Sequence, residues 1–217
     1  MQLYNYFRSS ASYRVRIALA LKGLDCELVP IHLVKHEQMS ESFASIAPAK
    51  LVPLLKVEGE GGSELLTQSL AIIEYLDEVH PEPSLLPGNA FDRARIRSLA
   101  QDIACEIHPI DNLRVLRYLV HEMKVSEEDK TRWYKHWVET GLDVVERRLA
   151  GDARTGRFCH GDAPTLADCV LVPQVLNAQR FACRLDNLPT VMRVFDACMV
   201  LDAFSKTQPS AYPEAAA

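Results

Sequence analysis

Leu54-Leu-Lys-Val57, Glu58-Gly-Glu-Gly-Gly-Ser63, Glu64-Leu-Leu-Thr67 and Gln68-Ser-Leu-Ala-Ile-Ile-Glu-Tyr-Leu-Asp-Glu-Val79 follow one another without a break. Two short apolar runs joined by a glycine-rich segment read as a β-hairpin. In the stretch after it, Ala71, Ile72, Tyr75, Leu76 and Val79 recur three and four apart, which predicts a helix with one apolar side. Upstream, residues 3–6 make a short strand candidate. Residues 12–22 bring Val15, Ala18, Leu19 and Leu21 near one helical face before Gly23 ends it. Residues 26–33 read as a strand and are followed by a polar, weakly helical stretch to about Ala47. The order is therefore βαβ followed by ββα.

Downstream, residues 80–89 carry Pro81, Pro83 and Pro87 and form the best domain boundary in the chain. Beyond it the periodicity is helical throughout, in residues 91 to about 122, 127–150, 165 to about 184 and 189 to about 205. Residues 151–164 read as a loop, and the tail after Pro209 as loosely held. The expected organisation is an α/β domain over 1–80, a linker over 81–90 and an all-α domain over 91–217.

Composition narrows the function. Among 217 residues, 24 Lys and Arg face 29 Asp and Glu, a net charge of −5, which argues against a nucleic-acid partner. With 48% hydrophobic residues the chain can bury a full core. Lys22, Pro173 and Asp202 cut the longest apolar runs short of the roughly 18 residues needed to span a bilayer. The first eight residues carry no signal pattern, so a cytoplasmic protein without a membrane role is expected. Cys26, Cys105, Cys159, Cys169, Cys183 and Cys198 are scattered without a C-x-x-C pair, and the histidines are dispersed. They read as small buried residues and isolated imidazoles, and no metal is expected.

Three N-terminal stretches could carry chemistry. In Arg8-Ser-Ser-Ala-Ser-Tyr-Arg-Val-Arg-Ile-Ala-Leu19, hydroxyls stand beside the free N–H groups of a helix start, which suits an anion or thiolate; on residue types alone a plain N-cap is the usual reading of such a serine. In Leu51-Val-Pro-Leu-Leu55, Pro53 opens a strand. A cis bond there would turn the Val52 backbone outward, and an ordinary trans proline at a strand end is the alternative. Gln68 and Ser69 open a helix directly after a strand and suit a carboxylate, or simply cap it. Thr165-Leu-Ala-Asp168 has capping-box spacing and reads as structure. In the helical half, His108, Asn112 and Arg114 lie within about a turn and a half beside Pro109, and Gln174, Asn177 and Arg180 repeat at helical spacing after Pro173. Each face lines a cavity or is simply solvated.

These features together resemble a cytosolic glutathione transferase over essentially the whole chain, and most closely the zeta class. The resemblance rests on Ser9-Ser-Ala-Ser-Tyr-Arg-Val-Arg-Ile-Ala-Leu19 and on Leu51-Val-Pro53, Thr67-Gln-Ser-Leu-Ala-Ile-Ile-Glu-Tyr-Leu76, Ile107-His-Pro109 and Leu166-Ala-Asp-Cys-Val-Leu-Val-Pro-Gln174. It implies a thioredoxin-like N-terminal domain that binds glutathione, an all-helical C-terminal domain and a homodimer. It also implies a glutathione-dependent cis-trans isomerase acting on maleylacetoacetate in aromatic amino-acid breakdown, or on maleylpyruvate. Carried over, Ser9, with Ser10 beside it, faces the glutathione sulfur, Val52 pairs with the tripeptide backbone beside cis-Pro53, and Gln68 and Ser69 hold the γ-glutamyl end. The small-molecule substrate is a diacid, so Arg8 and Arg180 are the expected catalytic carboxylate partners, with His108, Asn112 and Arg114 assisting. Where the family commonly has cysteine this chain has Ala11, so no protein thiol serves there. The alternatives are a general transferase or halo-acid-processing enzyme, and a non-catalytic binding module of the same fold.

Overall fold

The computed structural model describes residues 1–59 and 61–212. They divide into two compact units: Met1–Leu85 joined by the described residues from Leu201 onward, and Leu86–Val200.

In the first unit the order is β1 (Gln2–Asn5), α1 (Ser10–Leu21), β2 (Glu27–Pro30), α2 (Glu41–Ile46), β3 (Leu54–Gly59), β4 (Gly62–Thr67) and α3 (Ser69–Val79). The strands form one mixed sheet in the order β2-β1-β3-β4. β1 runs parallel to β2, antiparallel pairing joins β1 to β3, and the hairpin read from the sequence joins β3 to β4 with Leu55 opposite Leu66. The strand read over 26–33 shortens to Glu27–Pro30: the Ile31 N–H still donates to the Asn5 carbonyl at 2.8 Å, but β1 ends at Asn5 and offers nothing further to pair with. Tyr6, Phe7, Phe43, Ala47, Val52 and Leu54 bury a core between the sheet and α2.

Lys22, capping the end of α1, fastens this unit's proline-rich exit. Its side chain is fully buried and its Nζ donates to Asp77 Oδ1 at 2.7 Å, to the His80 carbonyl at 2.8 Å and to the Pro83 carbonyl at 2.9 Å.

The sequence reading placed everything after residue 91 in the helical domain. The described residues from Leu201, with α9 (Asp202–Ser205), instead belong to the first unit. Two α1 side chains hold them: the Tyr13 hydroxyl donates to the Phe204 carbonyl at 2.7 Å and Arg16 Nε to the Thr207 carbonyl at 3.1 Å. The tail read as loose after Pro209 forms a 3-10 turn over Pro209–Ala211, and the Tyr212 ring packs on the core; residues 213–217 lie outside the described residues.

The second unit consists of α4 (Ala90–Gln101), a π-helical turn (Asp102–Ile107), α5 (Leu113–His121), α6 (Glu127–Ala150), α7 (Leu166–Arg180) and α8 (Pro189–Met199). Helix α6 shows why the sequence sets its limits. Ser126 accepts from the Asp129 N–H at 3.0 Å, Glu127, Glu128 and Asp129 fill the first turn, and Arg147 and Arg148 fill the last, opposite in sign to the helix dipole at each end. Its Gly141 lets the π-helical turn approach: a Cβ there would stand 2.3 Å from Ile107 Cγ1.

Candidate active site

The passage from β1 to α1 is a tight turn whose last residue, Ser9, caps the helix. Ser9 has extended backbone angles and its Oγ accepts the Ser12 N–H at 3.2 Å. A hydroxyl has one donor and two acceptor positions, so capping leaves the proton of Ser9 available to a partner in front of the helix. The first turn of α1 contains no acidic residue, which preserves the positive end of its dipole. Ser9 is half-buried, Ser10 is buried, and Arg8 is exposed with its guanidinium 5.0 Å from the Phe7 ring centre.

The Val52–Pro53 peptide is cis, the geometry that the family resemblance implied and that the residues alone left open. Val52 lies ahead of the ladder, which begins with Leu54 opposite Tyr4 and Thr67.

Gln68 caps α3 in an unusual conformation, φ 69° and ψ 115°, and its side chain makes no capping bond. A side chain at positive φ costs roughly 1 to 3 kcal/mol and is held only where the surroundings impose it. That strain was not legible in the sequence, where Gln68 read as an ordinary helix opener. Ser69, 6% exposed, accepts from Arg14 Nη1 at 3.2 Å, so Arg14 links the first motif to the third from beneath. Sequence reasoning passed over Arg14. Its signal was a cation amid the apolar run of a buried helix, where a charge has to be hydrogen-bonded.

In the second unit the structure corrects one placement. His108, Asn112 and Arg114 do not share a continuous helix: His108 ends the π-helical turn, Asn112 caps α5 and accepts the Arg114 N–H at 3.1 Å, and the bend at Pro109 to Asn112 lies between them. On α7, the face with Gln174, Asn177 and Arg180 runs from interior to solvent. Gln174 is 1% exposed, Asn177 half-buried and Arg180 exposed, so neither a continuous cavity wall nor a solvated stripe describes it. Arg180 lies 5.5 Å from the Phe181 ring centre, and neither Arg180 nor Arg8 has an ion-pair partner among the described residues.

Asp111, in the same bend, is a residue the sequence reading missed. Both carboxyl oxygens are buried without a hydrogen-bond partner among the described residues, and burial pushes its pKa up to about 7. Its charge acts on Tyr134 of α6 and on Cys183, whose thiol burial pushes up to about 11. The folded chain keeps this proton to higher pH than the unfolded chain, so stability relative to Asp111→Asn is full below pH 4 and is lost as pH rises towards 7. Unscreened, the displacement is worth about 4 kcal/mol, and screening reduces the expected loss to about 2 kcal/mol. Chemical denaturation of both proteins at pH 4.5 and pH 8 measures it, and parallel stabilities at the two pH values contradict it.

Residues 3–84 match the family model described as "Glutathione S-transferase, N-terminal domain". The chain is 45% identical over 216 residues to the maleylpyruvate isomerase of Ralstonia sp, covering 100% of each. It is 44% identical over 216 residues to the maleylacetoacetate isomerase of Pseudomonas aeruginosa, covering 99% of this chain and 98% of that one. The crystal structure of maleylacetoacetate isomerase from Anaeromyxobacter dehalogenans 2CP-1 with bound GSH in the active site matches with a TM-score of 0.89 at 44% identity, over 99% of this chain and 97% of that one. A second crystal structure of that protein, with bound dicarboxyethyl glutathione and citrate in the active site, matches with a TM-score of 0.88 at 44% identity, over 99% and 96%.

Proposed function

The chain belongs to the zeta class of the glutathione S-transferases, and from that premise we propose that it isomerises maleylacetoacetate to fumarylacetoacetate with glutathione as cofactor, in the breakdown of aromatic amino acids. The observation that carries the reading is Ser9, a capping hydroxyl with a proton to give, at a helix start free of acidic residues. When bound, glutathione supplies a thiolate that makes the cis double bond transiently single and is itself regenerated.

The residues fit that group. A free thiol is only a few per cent ionised at pH 7, and the Ser9 hydroxyl together with the α1 dipole favours its anion. Val52 offers backbone hydrogen bonds outside the sheet ladder, and Gln68 and Ser69 offer polar groups at a helix start whose first turn has no acidic residue. Arg8 in the first unit and Arg180 in the second, each exposed and without carboxylate partners among the described residues, are the carboxylate-binding groups of this reading, with His108, Asn112 and Arg114 as further candidates. Ala11 contributes no thiol, so the chemistry rests on glutathione alone.

Gln68→Gly separates anchoring from folding. Glycine relieves the positive φ, so the variant should melt at or above the wild-type temperature while binding glutathione roughly tenfold more weakly. Ser69→Ala should weaken binding similarly. Calorimetric titration and thermal unfolding check both, and wild-type affinity in both variants would place the γ-glutamyl end elsewhere.

The 45% identity to a maleylpyruvate isomerase favours maleylpyruvate as a second substrate. Steady-state kinetics on the two acids, with and without glutathione, decide between them. The expected result is glutathione-dependent turnover of both with the higher kcat/KM for maleylacetoacetate; a preference for maleylpyruvate reverses the assignment. We assign the protein to the cytoplasm as a homodimer. Among the described residues no helix is long and apolar enough to cross a membrane, and β4 is an exposed edge strand presenting Leu65.

A further inference from the structure

Arg14-Val-Arg16 sets two guanidinium groups two residues apart on α1, roughly 200° around the helix axis. They therefore serve opposite sides. Arg14 reaches Ser69, whereas Arg16 turns back under the β1–α1 turn and is 2% exposed. Arg16 Nη1 donates to Asn5 Oδ1 at 2.7 Å and to the Tyr6 carbonyl at 3.5 Å, Nη2 donates to the Phe7 carbonyl at 3.0 Å, and Nε donates to the Thr207 carbonyl at 3.1 Å. The rings of Tyr13 and Tyr212 lie 5.3 Å and 4.8 Å from its guanidinium carbon. Neutral oxygens and aromatic faces compensate this buried charge, and among the described residues no ion pair does.

The Tyr6 carbonyl has a second donor: the Ser9 N–H at 2.9 Å. The turn that presents Ser9 is thus pinned by its carbonyls to one planar fork, and that fork is pinned in turn to the C-terminal segment. The Tyr13 hydroxyl closes the arrangement on the Phe204 carbonyl, again across 191 residues of sequence.

We propose that Arg16 is a positioning residue for Ser9, and that residues 201–212 form through Arg16 and Tyr13 a working part of the thiol-activating end of the site. This inference rests on the glutathione reading above and adds to it a segment outside the three N-terminal motifs. Lysine cannot replace the fork, because one ammonium on a flexible stem cannot hold two adjacent carbonyls, an amide and Thr207 at fixed angles.

The test uses the full chain as wild type, Arg16→Lys, Tyr212→Ala, Ser9→Ala and the Arg16→Lys/Ser9→Ala double variant. Three quantities are read: the melting temperature without ligand, the calorimetric affinity for glutathione, and the midpoint of thiolate absorbance of bound glutathione against pH. In Arg16→Lys the midpoint should rise by about half to one pH unit, the worth of one neutral hydrogen bond, with affinity within about threefold of wild type. Tyr212→Ala should shift it the same way by less, and it carries the test if Arg16→Lys fails to fold. In the Ser9→Ala background Arg16→Lys should add nothing, since it acts through Ser9. A wild-type midpoint in Arg16→Lys or, if that does not fold, in Tyr212→Ala, or an additive shift in the double variant, makes the clamp purely structural and overturns the proposal. Wild-type protein that binds no glutathione overturns the glutathione reading itself, an outcome visible before any variant is compared.

Discussion

Asp168→Ala is expected to cost about 3 to 5 kcal/mol of stability, the largest effect of any single substitution considered, although Asp168 takes no part in the chemistry. Its carboxylate is fully buried. Oδ1 accepts the Cys159 N–H at 2.8 Å, and Oδ2 accepts the Thr165 N–H at 2.8 Å and its hydroxyl at 2.7 Å. One side chain therefore caps α7 and ties the loop before it to the helix core. Alanine leaves two N–H groups buried without partners, and each such group costs about 1 to 3 kcal/mol. Asparagine keeps one oxygen but sets an amide against a donor, so Asp168→Asn should fall between. Urea unfolding at pH 7 checks the order, and an alanine variant within about 1 kcal/mol of wild type would show that water satisfies those groups.

The second large effect concerns charge. Arg8→Met and Arg180→Met should each lower kcat/KM for the diacid by roughly ten- to more than a hundredfold, the loss of a charge-assisted hydrogen bond to a carboxylate. For Arg180 the loss should fall mainly on KM with glutathione affinity nearly intact, because Arg180 lies at the end of α7, in the second unit. For Arg8, one residue before Ser9, kcat should fall as well. A neutral substrate analogue separates recognition from architecture: it should lose less than the diacid in both variants. Equal losses for charged and neutral substrates would mean that these arginines hold structure and that the carboxylates bind elsewhere.

What could be read from the sequence was what is local. The hairpin, the βαβ-ββα order, the α6 limits and the Thr165–Asp168 box are written in turn residues, caps and periodicity within a dozen positions, and the structure reproduces them. Ser9, Val52, Gln68 and Ser69 were singled out as candidates by the same means, with the family resemblance raising them above plain capping residues. What escaped depends on tertiary placement. The positive φ of Gln68 is imposed by surroundings, since nothing in glutamine prefers it. The segment after Leu201 continued an apolar helical pattern and so read as part of the helical domain; hydrogen bonds from Tyr13 and Arg16, 191 residues earlier in each case, and the packing of Tyr212 on the core tie it to the first unit. Asp111 went unnoticed and Gln174 stayed open between a cavity wall and a solvated face, because burial of a polar side chain leaves no mark in hydrophobic periodicity.

The central claim, that glutathione acts as a catalyst here and is not consumed, is tested most directly by its stoichiometry. Maleylacetoacetate is supplied in at least tenfold excess over glutathione, and trans product and total free thiol are followed together. The account predicts many product molecules per glutathione with free thiol constant throughout, and no enzymatic turnover when glutathione is omitted. Loss of one thiol per substrate converted would make the protein a conjugating transferase, and an undiminished rate without glutathione would contradict the mechanism outright.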